Sequence, residues 1–229
     1  MQITKAEVIP IELGLKHPSR LAGLPEIHQV TAIFIRLETR QGQSAWGCTV
    51  AHPELTGERP EDVLHACREC AQMAPDLHPL QIEYSLDQLA ARVHVTPAVM
   101  CAFDLAFHDL LGLATGMPLF RLLGGFRDRI QTSVTIPLGA LEDSVDQAQQ
   151  RASQGFRTLK IKGGLDPSED VRRVQAIHQV LPYHTLRLDA DGGYTIREAL
   201  DVAHALEHVI ELIEQPTPPA DLLRADRWK

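Results

Sequence analysis

Patterns typical of strands and of helices alternate strictly from residue 132 onward. Four apolar, β-branched runs are separated by three helical patterns, and the repeat is roughly 25 residues long. This alternation predicts a parallel sheet, either in a (β/α) barrel or in an open doubly wound fold. The strands are expected at residues 132–138, 158–162, 185–191 and 209–216, and the helices at residues 141–155, 167–181 and 195–208.

The first part of the chain is organised differently. Alternating apolar residues predict three strands there, and longer amphipathic or apolar stretches predict helices. The segment from Gly14 to His28 contains prolines and glycines and is expected to be a loop. Thr96 is expected to cap the last of these helices. The strands are predicted at residues 3–13, 30–39 and 44–51, and the helices at residues 59–73, 85–93 and 96–116.

Composition excludes several classes of protein. The 229 residues are 44% hydrophobic, which suits one large or two smaller globular domains. The net charge is -8 and no basic stripe is present, so nucleic acid is not an expected partner. No signal peptide and no apolar run near the ~20 residues of a membrane span are evident, so no membrane association is expected. Four scattered cysteines favour a reducing, cytoplasmic location.

Two short patterns resemble metal motifs but are better explained as structural. Cys67 and Cys70 form a CxxC within an amphipathic helical pattern, and no second cysteine pair follows. His204 and His208 share a helix face, but the Glu of a metalloprotease helix is missing after the first His. Glycine motifs that bind nucleotide phosphates are also absent before the predicted helices.

Charged residues end three consecutive strands of the repeat. Lys160 and Lys162 close the second strand, Asp189 and Asp191 the third, and Glu214 the fourth. Carboxyl ends of adjacent parallel strands meet at one edge, where (β/α) barrels carry their catalytic residues. Carboxylates from neighbouring strands suit a hard divalent cation such as Mg²⁺. Asp and Glu also often end strands as caps for the following helix. The spacing of the residues alone does not exclude this alternative.

The motifs "LKIKGG", "LRLDADGGY" and "LIEQPTPP", in this order and spacing, resemble the enolase superfamily. Within it, they resemble the muconate-lactonising and dipeptide-epimerase branch, whose hallmark is a KxK at the second barrel strand. Residues 102–136 and the segment "WGCTVAHPELTGE" (46–58) are similar to further family regions. The resemblance implies an α+β capping domain at residues 1–125. An incomplete (β/α) TIM-type barrel would follow at residues 126–229, with about four of eight strands, the first half of a (β/α)7β barrel.

The resemblance also implies roles for individual residues. By matching position, Asp189 and Glu214 would be Mg²⁺ ligands. Lys162 would be the catalytic acid/base on one face of the substrate, and Lys160 its catalytic electrostatic partner. Thr135 would line the substrate pocket.

Further substrate contacts are expected from Asp191 and from the capping loops. The loops around residues 15–28 and 48–57 would determine selectivity, with Leu24 and His52 as their representatives in the pocket.

The implied function is Mg²⁺-dependent removal of a proton next to a carboxylate. The expected enzyme is an isomerase of the dipeptide-epimerase type, and its partner is a small carboxylate or a dipeptide. Mg²⁺ stabilises the enediolate as a Lewis acid, while burial, a neighbouring ammonium group and the metal all disfavour the charged form of a lysine base. Alternatives are a muconate cycloisomerase, an enzyme like o-succinylbenzoate synthase, or a non-catalytic truncated module. A homo-oligomer is compatible with each.

The chain departs from the family pattern in three respects. The family has a third metal ligand, an Asp on the fifth strand, and an opposite-face Lys on the sixth strand. Both are expected beyond Lys229, so residues 1–229 alone are predicted to be an incomplete enzyme with negligible turnover. Asp191 occupies a position where the family usually has Asn. Cys48 occupies one where many relatives have Glu.

Overall fold

A computed structural model of the chain describes residues 1–20 and 22–218 and divides into two compact units. Unit 1 comprises Met1–His17 and His28–Asp128, and unit 2 comprises Pro18–Ile27 and Arg129–Lys229. Residues 219–229, which include the end of the "LIEQPTPP" motif and of the predicted barrel segment, lie outside the described residues. The domain boundary at residues 125/126 stays a prediction.

A three-stranded sheet, in the order β1-β2-β3, begins the chain and is followed by helices. Strands β2 and β3 pair antiparallel, with Ile33 opposite Thr49 and Ile35 opposite Gly47. The sequence-based prediction of strands followed by helices is confirmed for this part. The elements are β1 (Ile3–Ser19), β2 (Ile27–Thr39), β3 (Ser44–Ala51), α1 (Pro53–Thr56), α2 (Pro60–Met73), α3 (Ile82–Arg92), α4 (Pro97–Thr115) and α5 (Leu119–Leu122).

The predicted loop at residues 14–28 is wrong over much of its length. Strand β1 continues to Ser19, and β2 already begins at Ile27. Side chains in this outer part of β1, such as Leu13, are largely exposed. A strand can form through backbone hydrogen bonds without burying one of its faces. The sequence of such a strand therefore need not alternate between apolar and polar residues.

Helix α4 supplies much of the core of unit 1 and packs against β3. Among the described residues, α4 is the one helix long and apolar enough to cross a membrane, but its buried face belongs to this core. The helix approaches the sheet closely at Gly47. A Cβ atom built there would lie 1.9 Å from the carbonyl oxygen of Ala102. The contact therefore has room for a glycine only. The buried residues of α4 are Ala98, Val99, Ala102, Phe103, Ala106, Phe107 and Leu110.

The start of α4 is capped by a side chain from elsewhere in the sequence. Thr96 occupies the N-cap position, as predicted, but its side chain makes no capping hydrogen bond. Instead the backbone N–H of Ala98 donates to Glu58 Oε1 at 3.1 Å. Burial alone raises the pKa of Glu58, but its hydrogen bonds outweigh burial and leave the pKa below its usual value. A carboxylate here also interacts favourably with the positive end of the helix dipole.

Cys67 and Cys70 are fully buried in the core of unit 1. Burial raises the pKa of each thiol to about 12, so neither is a ready nucleophile or metal ligand near neutral pH. This environment is that of structural cysteines.

The strand–helix alternation predicted for the second part is confirmed within the described residues. Its four strands form one parallel sheet in the order β4-β5-β6-β7. Apolar side chains on one face of the sheet pack against the helices. The described strands form an open arrangement, without a closed barrel. The elements are β4 (Ser133–Ile136), α6 (Leu141–Ser153), β5 (Thr158–Lys162), α7 (Pro167–Val180), β6 (Thr185–Asp189), α8 (Ile196–Leu206) and β7 (Leu212–Glu214).

Replacing Gly47 by alanine is expected to destabilise unit 1 strongly, because the new methyl group meets the backbone of α4. We expect a loss of about 3 kcal/mol in the free energy of unfolding and a Tm lower by roughly 10 °C. Gly14→Ala is the matched control, since nothing lies within 4 Å of its built Cβ atom. Similar thermal unfolding of the two variants would contradict the close contact.

Glu58→Ala is expected to lower the free energy of unfolding by about 1 kcal/mol at neutral pH, because α4 loses its capping carboxylate. The folded-state pKa of Glu58 is lowered, so its contribution is present above the unfolded pKa of about 4.3 and is lost as the pH falls through the folded value. Denaturant titrations at several pH values measure this.

Glu58→Gln keeps a hydrogen-bond acceptor without the charge, and it should therefore lose less stability than Glu58→Ala. A constant difference between wild type and Glu58→Ala from neutral pH down to pH ~3 would contradict the role of the charge.

Candidate active site at the ends of the parallel strands

The register of the sheet in unit 2 aligns the charged residues that end its strands. Lys162 lies beside Asp189, and Asp189 lies beside Glu214 on the next strand. Side chains alternate along each strand, so Ile161 points into the core against the helices while Lys160 and Lys162 share the opposite face. Local strand geometry and parallel pairing together create the cluster.

A network of ion pairs joins the cluster. The Nζ atom of Lys160 lies 2.7 Å from Asp189 Oδ2 and 2.8 Å from Glu214 Oε2. The Nζ atom of Lys162 lies 2.9 Å from the same Asp189 oxygen and 2.6 Å from Asp191 Oδ1. Two ammonium groups and three carboxylates thus converge, which explains how two lysines can share one face of a strand. All five residues expected to converge are brought together.

Asp189 is the centre of the network, with only 3% of its side chain exposed. Burial on its own raises the pKa of Asp189, but hydrogen bonds from both lysines outweigh burial and hold the pKa below its usual value. Burial likewise lowers the pKa of Lys160, and the bonds to Asp189 and Glu214 overcome this and leave the pKa raised. The carboxylates therefore keep the ammonium group of Lys160 charged in this arrangement.

Asp191 has an unusual backbone and one unsatisfied oxygen. Its φ of 47° lies in the left-handed region, which is uncommon for residues other than glycine. Its backbone N–H donates to Asp189 Oδ1 at 3.2 Å, while its Oδ1 binds Lys162. The remaining Oδ2 is buried and has no hydrogen-bond partner among the described residues. A buried, unpaired carboxylate oxygen is costly and suits a site that accepts a further cationic or donor group.

The donor set fits a hard cation in part. Asp189 and Glu214 place carboxylate oxygens around the same point, which Lys160 Nζ occupies here. Oxygen ligands of this kind suit Mg²⁺, which usually takes one or two carboxylates together with water or substrate. Within residues 1–20 and 22–218, no group of three or more His, Cys, Asp or Glu is arranged to hold a metal ion.

The other predicted substrate contacts lie at different places in the chain. Thr135 is exposed and lies next to Lys160 in the sheet register. Leu24 is half-buried and belongs to unit 2, in the segment whose Ala22 lies close to Gly164. His52 belongs to unit 1, where it precedes α1 and its buried Nδ1 has no partner among the described residues. The roles of all three stay predictions.

The glycines that follow β5 and β6 have no role that the sequence motifs predict. A Cβ atom built at Gly164 would lie 2.0 Å from the carbonyl oxygen of Ala190, and one built at Gly193 would lie 2.0 Å from that of Gly164. The two loops are therefore in backbone-to-backbone contact directly beside the charged cluster. The repeated glycine pairs in "KGG" and "DGG" are the signal that could have indicated this contact.

Comparison with known proteins shows which families the chain resembles. Residues 143–227 match the family described as "Enolase C-terminal domain-like". The whole chain superposes on the crystal structure of a dipeptide epimerase from Enterococcus faecalis complexed with Mg and L-Leu-L-Tyr, with a TM-score of 0.93 and 29% identity, covering 100% of this chain and 65% of that one. The chain is therefore similar to the enolase superfamily over residues 143–227 and to a dipeptide epimerase over its whole length.

Curated relatives show the same similarity at the level of sequence. A hydrophobic dipeptide epimerase from Enterococcus faecalis is 30% identical over 97% of this chain and 63% of its own length. An L-Lys-D/L-Arg epimerase from Desulforapulum autotrophicum is 31% identical over 94% of this chain and 61% of its own. The chain therefore spans about three-fifths of the length of these curated relatives.

Gly193→Ala is expected to separate the loops after β5 and β6, because the new methyl group collides with the backbone of Gly164. A loss of about 2–3 kcal/mol in the free energy of unfolding is expected. Gly139→Ala is the control, since its built Cβ atom meets nothing closer than 4.0 Å. Equal denaturation midpoints for the two variants would exclude the tight contact between the loops.

Proposed function

We propose that this chain carries the lysine face and two metal ligands of a Mg²⁺-dependent isomerase that epimerises dipeptides. The observation that carries the proposal is the shared contact of Lys160 and Lys162 with Asp189, next to Glu214. Support comes from relatives named as dipeptide epimerases and from a relative crystallised with Mg and a dipeptide. On this proposal, the parallel sheet of unit 2 is the first half of a (β/α)7β barrel, and residues 1–125 form the capping domain.

The metal would be held by Asp189 and Glu214. When bound, Mg²⁺ would neutralise charge on the substrate carboxylate and so make the neighbouring C–H bond more acidic. Both carboxylates currently bind Lys160, so the ammonium group and the metal would compete for the same oxygens. Like charges cannot share one position, and Lys160 would therefore turn toward the substrate carboxylate.

The proton would move to and from Lys162. Its side chain is only 15% exposed, and its Nζ atom is held by Asp189 and Asp191, which restrict its position. As a base, the neutral amine would remove the α-proton on its own face, and inversion would then require a proton from the opposite-face lysine that the family resemblance implies. In the reverse direction Lys162, as an ammonium group, would donate the proton on its face. Lys160 would hold the negative charge that develops on the carboxylate oxygens during this transfer.

A dipeptide is the favoured substrate among carboxylates because the curated relatives cited above are dipeptide epimerases. A muconate cycloisomerase or an enzyme like o-succinylbenzoate synthase would use the same lysines and metal. A non-catalytic module would keep the fold without turnover. Recovery of dipeptide from D₂O distinguishes these functions, since only an epimerase exchanges the α-proton of an otherwise unchanged dipeptide.

Lys162→Ala in the protein that carries this sequence is expected to lower α-proton exchange by a factor of ~10²–10⁴ or more, because the base is lost. Mg²⁺ binding should persist, since both proposed ligands remain. Asp189→Asn should instead weaken Mg²⁺ binding by roughly tenfold or more. Mass spectrometry of deuterium uptake and calorimetric titration with Mg²⁺ measure the two effects.

Lys5→Ala is the control, because Lys5 lies in β1 and pairs with Glu7 outside the cluster. Deuterium uptake that survives Lys162→Ala would overturn the assignment of the base. The prediction that residues 1–229 alone turn over negligibly is tested by the same assay on the isolated chain.

A further inference from the structure

A buried ion pair lies at the start of α7, next to the loops that follow β5 and β6. Asp170 and Arg173 are three residues apart on the helix, and 3% of each side chain is exposed. Arg173 Nη2 lies 2.7 Å from Asp170 Oδ1. Neither residue belongs to the charged cluster described above, and hydropathy patterns gave no sign of them on a helix expected to bury apolar side chains.

The second oxygen of Asp170 binds both loops. The backbone N–H of Gly164, after β5, donates to Asp170 Oδ2 at 2.8 Å. The hydroxyl of Tyr194, after β6, donates to the same oxygen at 2.6 Å. Burial and the contact with Asp170 raise the pKa of Tyr194, so its hydroxyl remains a donor at any physiological pH. One carboxylate thus joins the two loops that begin at the charged cluster.

Arg173 reaches the cluster more directly. Its guanidinium donates to the backbone carbonyl oxygen of Lys162, the residue proposed as the base. The next residue, Gly163, donates its N–H to the carbonyl oxygen of Asp189 at 2.8 Å. A Cβ atom at Gly163 would lie 2.8 Å from Asp170 Oδ2, so glycine lets the carboxylate approach this backbone. The main chain around Lys162 is therefore held from α7 and from β6.

Stability alone is a weak explanation for this arrangement. The desolvation penalty of a buried ion pair often equals or exceeds its Coulombic gain, and apolar residues of similar volume frequently serve as well. What apolar residues could not do is bind three defined backbone and hydroxyl groups in fixed directions. Such bonds fix the geometry of the groups that they join, as supporting residues do around a functional site.

We propose that Asp170, Arg173 and Tyr194 are positioning residues that hold the backbone of Lys162 and of the loop after Asp189 in the geometry required for proton transfer. The inference rests on the proposed function for its catalytic consequence. Its structural part, the fixing of the two loops by Asp170, is independent of any activity. The three side chains bind the main chain and make no contact with the proposed reacting atoms.

Tyr194→Phe tests the proposal, because it removes one hydroxyl group and keeps the ring in the core. Tyr183→Phe is the matched control, since Tyr183 is 94% exposed. At a temperature well below the Tm of both variants, amide hydrogen exchange at Gly163 and Gly164 is expected to be about tenfold faster in Tyr194→Phe and unchanged in Tyr183→Phe. Exchange in the core of unit 1 should be the same in both. Unchanged exchange at Gly163 and Gly164 would overturn the proposal.

The catalytic consequence is measured as α-proton exchange of dipeptide. A positioning role predicts that kcat of Tyr194→Phe falls about tenfold while KM stays within twofold. Arg173→Lys keeps the charge but loses the guanidinium whose Nη2 donates to both Asp170 and the Lys162 carbonyl oxygen, so it should show the same split. A folded Tyr194→Phe with a lower Tm and wild-type kcat would overturn the positioning role and leave a structural one.

The two proposals fail in different ways. If the full protein that carries this sequence, as distinct from residues 1–229 alone, exchanges no α-proton of any dipeptide, the proposed function fails. The amide exchange at Gly163 and Gly164 still decides whether the buried network fixes the loops. If the wild type is active and Tyr194→Phe matches it in kcat, only the positioning proposal fails.

Discussion

The carboxylate of Asp189, shared between two ammonium groups, is the interaction on which the site depends. Without it, Lys160 and Lys162 would face each other as like charges on one face of β5, and the strand would have to leave that face in water. Parallel pairing solves the problem because each strand brings its own last residue to the same edge. Asp189 neutralises charge on both lysines, and Glu214 adds a second carboxylate beside Lys160.

The sequence could predict this site because its signal is local and repeated. Apolar residues alternate with charged ones at the strand ends, and β5 was predicted with the observed ends, at residues 158–162. The parallel order follows from the strand–helix alternation. Once the strand order is known, Asp189 and Glu214 are expected side by side, because one strand–helix unit separates them along the chain and their strands are neighbours. The family resemblance adds roles, but the convergence itself follows from strand geometry.

Other features could not be predicted because their causes are distant in the sequence. The outer part of β1 is a strand whose side chains are largely exposed, so it carries no hydrophobic pattern. Thr96 has the right residue type for an N-cap, yet Glu58 performs the capping from a separate segment. Asp170 and Arg173 look like ordinary surface charges on an amphipathic helix, and only the packing of two loops over them reveals that they are buried.

The backbone contact between Gly164 and Gly193 has a consequence for how such a scaffold can change. Loops above a sheet of this kind are usually regarded as modules that can be exchanged singly to create new specificity. Here the main chains of two consecutive loops pack directly against each other. A loop grafted singly from a relative would therefore not fit against the loop that remains. Recombination between relatives should therefore succeed when the segment from β5 to the start of α8 is inherited as one block.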